Sequence, residues 1–177
     1  RALAIYEQVL GPQHPSTATS LNNLGGLLQD MGQLAEAKPY YERALAIYEQ
    51  VLGPQHPSTA GSLNNLGGLL YAMGELADAK PYFEQALAIF EQVLGSQHPH
   101  TATSLNNLGY LLQDMGQLAE ARPYYERALA IFEQVLGPQH PNTATSLNNL
   151  GGLLRDLGQL AEARPYYDRA LAIREEV

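Results

Sequence analysis

The chain has 177 residues, no Cys, no Trp, and 18 acidic against 10 basic residues, a formal charge of -8. The missing Cys excludes a disulfide framework and fits a reducing compartment. The acidic balance argues against nucleic acid or an anionic membrane as partner, since both call for basic patches. No apolar run is long enough to span a bilayer, and no basic-then-apolar leader is present, so a cytoplasmic location is expected.

Residues 1–10 read as the latter half of a helix. Leu10 is followed by Gly11-Pro12, where Gly takes the left-handed conformation that ends a helix and Pro blocks its continuation. His14-Pro15 opens the next helix, A, with Pro at a first-turn position that needs no N–H bond. Ser16 or Thr17 is the alternative cap, which would move the boundary by a residue or two. Helix A runs to about Met31, and Gly32 breaks it. It places Leu21, Leu24, Gly25 and Leu28 on one face, the i, i+3, i+4, i+7 spacing of an amphipathic helix. Helix B follows from about Gln33 to Leu52. Its apolar stripe comprises Leu34, Ala37, Tyr41, Ala44, Leu45, Tyr48 and Leu52, widened by Tyr40, Ile47 and Val51. A stripe this wide is buried on more than one side. Pro39, just past the first turn, is expected to bend or loosen it.

The pattern then repeats. Arg1–Glu42 recurs as Arg43–Glu84, Gln85–Glu126 and Arg127–Asp168, and each later copy matches the first at 36 of 42 positions. A nine-residue remnant, Arg169–Val177, completes the chain, which leaves no linker or second domain. A single array over residues 1–177 is expected, cut from a longer one because it starts and stops in mid-pattern. One hairpin cannot bury its own stripe, so neighbouring hairpins must stack.

Leu21, Leu24-Gly25, Leu28, Gly32, Ala37, Tyr41 and Ala44-Leu45 fall at the signature spacing of the tetratricopeptide repeat, which these residues resemble. The usual repeat has about 34 residues. The longer one here, with Leu21-Asn22-Asn23-Leu24 and Leu10-Gly11-Pro12-Gln13-His14-Pro15, is similar to the 42-residue repeats of kinesin light chain and related bacterial arrays. The resemblance implies an all-α fold, a right-handed α-solenoid of stacked antiparallel helix-turn-helix repeats. It also implies a concave groove lined mainly by A helices and a role as a protein-interaction scaffold.

The copies differ most in helix A at Thr19 against Gly61, Gly26 against Tyr110, Gln29 against Tyr71 and Arg155, and Asp30 against Ala72. At 3.6 residues per turn these positions share one arc, opposite Leu21, Leu24, Gly25 and Leu28. That arc is either a solvated face that drifts freely or a groove whose differences tune a ligand. Position 26 accepts both Gly and Tyr and so must open onto space. Asn22 lies in the same arc and is Asn in every copy, at Asn64, Asn106 and Asn148. Its carboxamide offers a donor and an acceptor, suited either to a peptide backbone or to a bond between adjacent A helices. For the neighbouring Asn23 the structural bond is the preferred reading.

Family members that hold an acidic C-terminal tail need Lys and Arg in the groove. Here Arg155 is the only Lys or Arg on any A helix, while Asp30, Asp114 and Asp156 are acidic, so a neutral or basic segment is expected.

No enzyme, cofactor or metal site is expected. His14, His56, His98 and His140 recur once per repeat, and stacked helices ~8–10 Å apart hold them too far apart to share an ion. Ser, His and Asp recur periodically, whereas a triad needs one asymmetric constellation. Gly25-Gly26 lies inside a helix and lacks the Lys of a phosphate loop. Without polar capping helices the bare ends suggest a rival function, head-to-tail self-association into superhelical chains.

Overall fold

A computed structural model describes residues 2–175, with side chains from residue 5 onward. Nine helices and no strand occur among the described residues, in two compact units, 1–93 and 94–177. In the first unit a short helix α1 (Ala2–Val9) precedes two hairpins, α2 (Pro15–Asp30) with α3 (Leu34–Val51) and α4 (Pro57–Ala72) with α5 (Leu76–Val93). The second unit holds α6 (Pro99–Asp114) with α7 (Leu118–Val135) and α8 (Pro141–Asp156) with α9 (Leu160–Glu175). Even-numbered helices are the A helices of the repeat and odd-numbered ones the B helices. None is long and apolar enough to cross a membrane.

Each helix ends where its punctuation dictates. Gly11 (φ 95°) and Gly32 (φ 75°) take left-handed conformations that other residues adopt at a cost. At the tight A–B turn, Gly32 N–H donates to Gln29 O (2.9 Å) and Gln33 N–H to Leu28 O (2.8 Å), which satisfies two of the last carbonyls of α2. Pro39 lies inside α3, and the helix continues through it.

Helix A starts at Pro15, in line with the His14-Pro15 reading and not with the alternative caps Ser16 or Thr17. His14 is the N-cap, and its Nδ1 accepts the Ser16 N–H at 3.1 Å. The same bond recurs at His56, His98 and His140. Thr17 turns the other way, its hydroxyl donating to Gly11 O at 2.9 Å and fastening the loop to the helix. Thr59, Thr101 and Thr143 repeat this, each fully buried. The periodic histidines thus hold helix starts. Helix order places them at the loop side of each hairpin, and among the described residues no three His, Asp or Glu side chains converge as metal ligands.

The core forms where the two stripes meet. Ala18, Leu21, Ala44, Ile47 and Tyr48 cluster in the first hairpin, with Tyr40 and Leu52 packed against them. Val51 was expected in this stripe, but it is 47% exposed, at the C-terminal end of α3. Within each unit the hairpins stack, α3 against α4 and α7 against α8, with further A–A contacts between α2 and α4 and between α6 and α8.

Because an N-cap acceptor satisfies an otherwise orphaned N–H, His56→Ala should destabilise the protein by about 1 kcal/mol in denaturant melts, and His56→Asn, which restores an acceptor, should recover most of that loss.

Candidate functional site

The open arc of the A helices rests on how each A helix meets its own B helix. At Gly25 an added Cβ would lie 3.0 Å from the Tyr41 ring. The pairs Gly67 with Phe83 (3.0 Å), Gly109 with Tyr125 (2.9 Å) and Gly151 with Tyr167 (3.2 Å) repeat the contact. The next residue along faces outward. A Cβ at Gly68 would meet nothing within 4 Å, and one at Gly26 only the Tyr41 hydroxyl at 3.5 Å.

In the first unit, the hydroxyls of Thr19 and Tyr48 lie 2.7 Å apart, and Tyr41 donates its hydroxyl hydrogen to Gln29 Oε1 at 3.2 Å. Asp30 is exposed, and Tyr71 on the next A helix is half-buried. Burial, helped by the nearby Asp30 charge, raises the Tyr41 hydroxyl above its ordinary pKa.

In the second unit, a longer polar chain crosses between hairpins. Tyr125 donates to Gln113 Oε1 (3.0 Å), Gln113 Nε2 donates to Asp156 Oδ2 (2.6 Å), and Arg155 donates Nε and Nη2 to Asp156 Oδ1 (3.0 and 2.9 Å). The hydrogen bonds from Gln113 and Arg155 hold the Asp156 carboxyl below the usual carboxylate range. Burial, then Tyr110, Asp114 and Asp156, push the Tyr125 hydroxyl well above the tyrosine range. Tyr110 stands beside this chain, 47% exposed.

The asparagines take the structural alternative where their bonds are described. Asn22 Nδ2 donates to Ser62 Oγ at 2.8 Å and Asn106 Nδ2 to Ser146 Oγ at 2.7 Å, each joining adjacent A helices. Both Oδ1 atoms are buried, with no hydrogen-bond partner in the structure. Asn64 and Asn148 are half-buried. Asn22 thus ties its A helix to the next while staying half-buried, and Asn106 does the same from a buried position.

Sequence reasoning missed the part played by Gln113, Asp156 and the Tyr41 and Tyr125 hydroxyls, because the tyrosines had been assigned wholly to the core. A signal was present. Where Phe83 replaces the tyrosine, Tyr71 replaces the glutamine that would accept its hydroxyl and Ala72 replaces the aspartate. The polar chain is exchanged for an apolar set as a block.

Stacked hairpins of this kind, with small residues under aromatic rings, define a helical-repeat protein. The chain matches the tetratricopeptide repeat family model over residues 1–50, 21–92, 58–118 and 100–176, and belongs to that family. Among solved structures, BtubC (BKLC) from P. vanneervenii is similar at 27% identity and TM-score 0.81, over 92% of this chain and 65% of that one. Kinesin light chain-type, nearly identical TPR-like repeats from Podosopora anserina match at 31% identity and TM-score 0.76, over 98% and 82%. Aspartyl phosphate phosphatase F from Bacillus subtilis shares the fold at 19% identity and TM-score 0.79, over 92% of this chain and 41% of that one. No curated protein sequence matches the chain.

The two adjacent glycines should respond in opposite directions. Gly68→Ala should be neutral or stabilise by up to about 1 kcal/mol, since a mid-helix Gly costs that much relative to Ala. Gly67→Ala presses on the buried Phe83 ring and should destabilise by about 1–3 kcal/mol. Thermal and denaturant melts of both variants distinguish a packed face from an open one.

Proposed function

We propose that the chain is a non-enzymatic protein-interaction scaffold whose open A-helix face receives an extended, neutral or basic segment of a partner protein. The general scaffold role follows from the family. The finer reading rests on one observation: the marked differences within the A helices gather on the face where Gly26, Gly68 and Gly152 are only lightly covered and Tyr110 is exposed. Aromatic side chains at such positions are common anchors in interfaces. Thr19, Gln29, Asp30 and Tyr71 in the first unit, and Tyr110, Asp114 and Arg155 in the second, are the proposed contacts. The charge of this face supports a neutral or basic occupant, since Arg155 already pairs with Asp156 while Asp30 and Asp114 add negative charge.

The test is a screen of extended peptides of graded charge, followed by titration of the best binder against variants. Tyr71→Ala and Tyr110→Ala should each weaken binding at least about tenfold. Unchanged affinity in both variants, or selection of acidic peptides, would sink the reading.

A second reading, head-to-tail self-association, is supported by the burial of equivalent residues. Leu27 on α2 is 55% exposed, whereas Leu69 and Leu153 at the same position are 0% exposed, each on an A helix that follows another hairpin in its unit. On the opposite side, Leu171 is 57% exposed and its counterpart Leu129 7%. Each repeat thus carries a leading and a trailing apolar face that fit one another in series. Light scattering over a hundredfold concentration range should show mass rising without plateau, and Leu27→Glu or an added polar C-terminal helix should stop the rise. A constant monomer mass for the unmodified chain is the contrary result.

A further inference from the structure

The first unit contains a cleft of about 530 Å³ away from the variable arc, between the B helices α3 and α5 and over α4. Its floor is apolar, formed by Leu66 and Leu70 with Pro81 and the Tyr82 ring. Its rim is acidic, with Glu42, Glu75 and Asp78 facing one cation, Lys38. Lys38 pairs loosely with Glu75, at 3.9 Å. Glu42 and Asp78 have no ion pair among the described residues.

The second unit supplies an internal comparison. At the corresponding positions the floor residues are the same, Leu150, Leu154, Pro165 and Tyr166. The rim is different. Glu75 becomes Gln159, Lys38 becomes Arg122, and the lining residue Gln85 becomes Arg169. Arg122 is bound to Glu126 at 2.7 Å, and Arg169 to Glu133 at 2.5 Å. Position 85 is Arg in the other copies, Arg1, Arg43, Arg127 and Arg169, so Gln85 removes a cation that the repeat normally carries. The second unit therefore has two cations against two carboxylates at these positions, where the first has one against three.

We propose that this cleft is a docking site for an arginine side chain on an extended segment of a partner protein. The chemistry is complementary in both parts. The alkyl stem of arginine packs on apolar surface while its head stays polar, which matches an apolar floor under a charged rim. The planar guanidinium donates to several carboxylate oxygens at once and stacks on aromatic faces, which the Glu42, Glu75 and Asp78 rim and the Tyr82 ring provide. The cleft lies on the B-helix side, so its occupancy is independent of the A-helix face.

The probe is the peptide acetyl-Gly-Ser-Arg-Ser-Gly-amide, titrated into the full chain and followed residue by residue by NMR. Shift changes are expected at residues 38–42 and 75–85. They should be absent at 122–126 and 159–169. The same peptide with citrulline in place of arginine should produce none, because citrulline keeps the shape and loses the charge. The double variant Glu75→Gln, Gln85→Arg installs residues that the second unit already carries at these positions, so the fold is preserved. It should weaken binding at least about tenfold, as it turns a net acidic rim neutral. Tyr110→Ala should leave the titration unchanged, which separates this site from the A-helix face. Equal shifts in both units, equal binding of the citrulline peptide, or undiminished affinity in the double variant would each overturn the proposal.

Discussion

Each hairpin closes on an aromatic ring of helix B set against a glycine of helix A. The ring is so close that even a methyl group on the glycine would need it to move. That contact sets the distance and rotation between the two helices. It directs one arc of helix A, with Leu21 or Leu63, into the core, and leaves the opposite arc uncovered. Burial of such a ring stabilises the hairpin by roughly 1.5–3 kcal/mol on transfer alone. The ring can be Tyr or Phe, since the packing uses its edge carbons. The hydroxyl is then free for a second task.

That second task links packing to the surface. Where the ring is Tyr41 or Tyr125, its buried hydroxyl bonds and orients Gln29 or Gln113. In the second unit Gln113 passes the connection on to Asp156 and Arg155, so the core contact of one hairpin organises polar groups on the next. Where the ring is Phe83 there is no hydroxyl to satisfy, and Tyr71 with Ala72 gives a less polar margin. In that copy the surface differences accompany a change at a core position, whereas the fourth copy keeps Tyr167 and carries Arg155 in place of the glutamine.

The hairpins are joined in series by a different device. A leucine-rich interface gives area, and one carboxamide-to-hydroxyl bond, Asn22 to Ser62 or Asn106 to Ser146, gives register. A neutral hydrogen bond of this kind contributes only about 0.5–1.5 kcal/mol. Its value lies in direction, since Leu–Leu contact tolerates sliding and a bond between two particular atoms does not. Charge at the B-helix joints then varies by copy, through Arg43 with Glu7 and Arg169 with Glu133, while Gln85 breaks the series.

The sequence by itself determined the repeat length, the helix order and nearly every helix boundary. Period, Gly and Pro act locally, and the left-handed Gly11 and Gly32 end helices whatever surrounds them. It also determined that Gly25 packs and Gly26 does not, because helical rotation separates them and Tyr110 occupies the outer position in one copy. Only the tertiary structure decided which polar groups meet. Asn22 reaches Ser62 across 40 residues, and His14 rather than Ser16 caps its helix. The first outcome depends on where a side-chain atom comes to rest relative to another element; the second is a local bond between residues two apart. An amide on an open arc looks the same in sequence whether it meets a peptide or the next helix. The position of the neighbouring helix decides whether the amide nitrogen has an intramolecular partner.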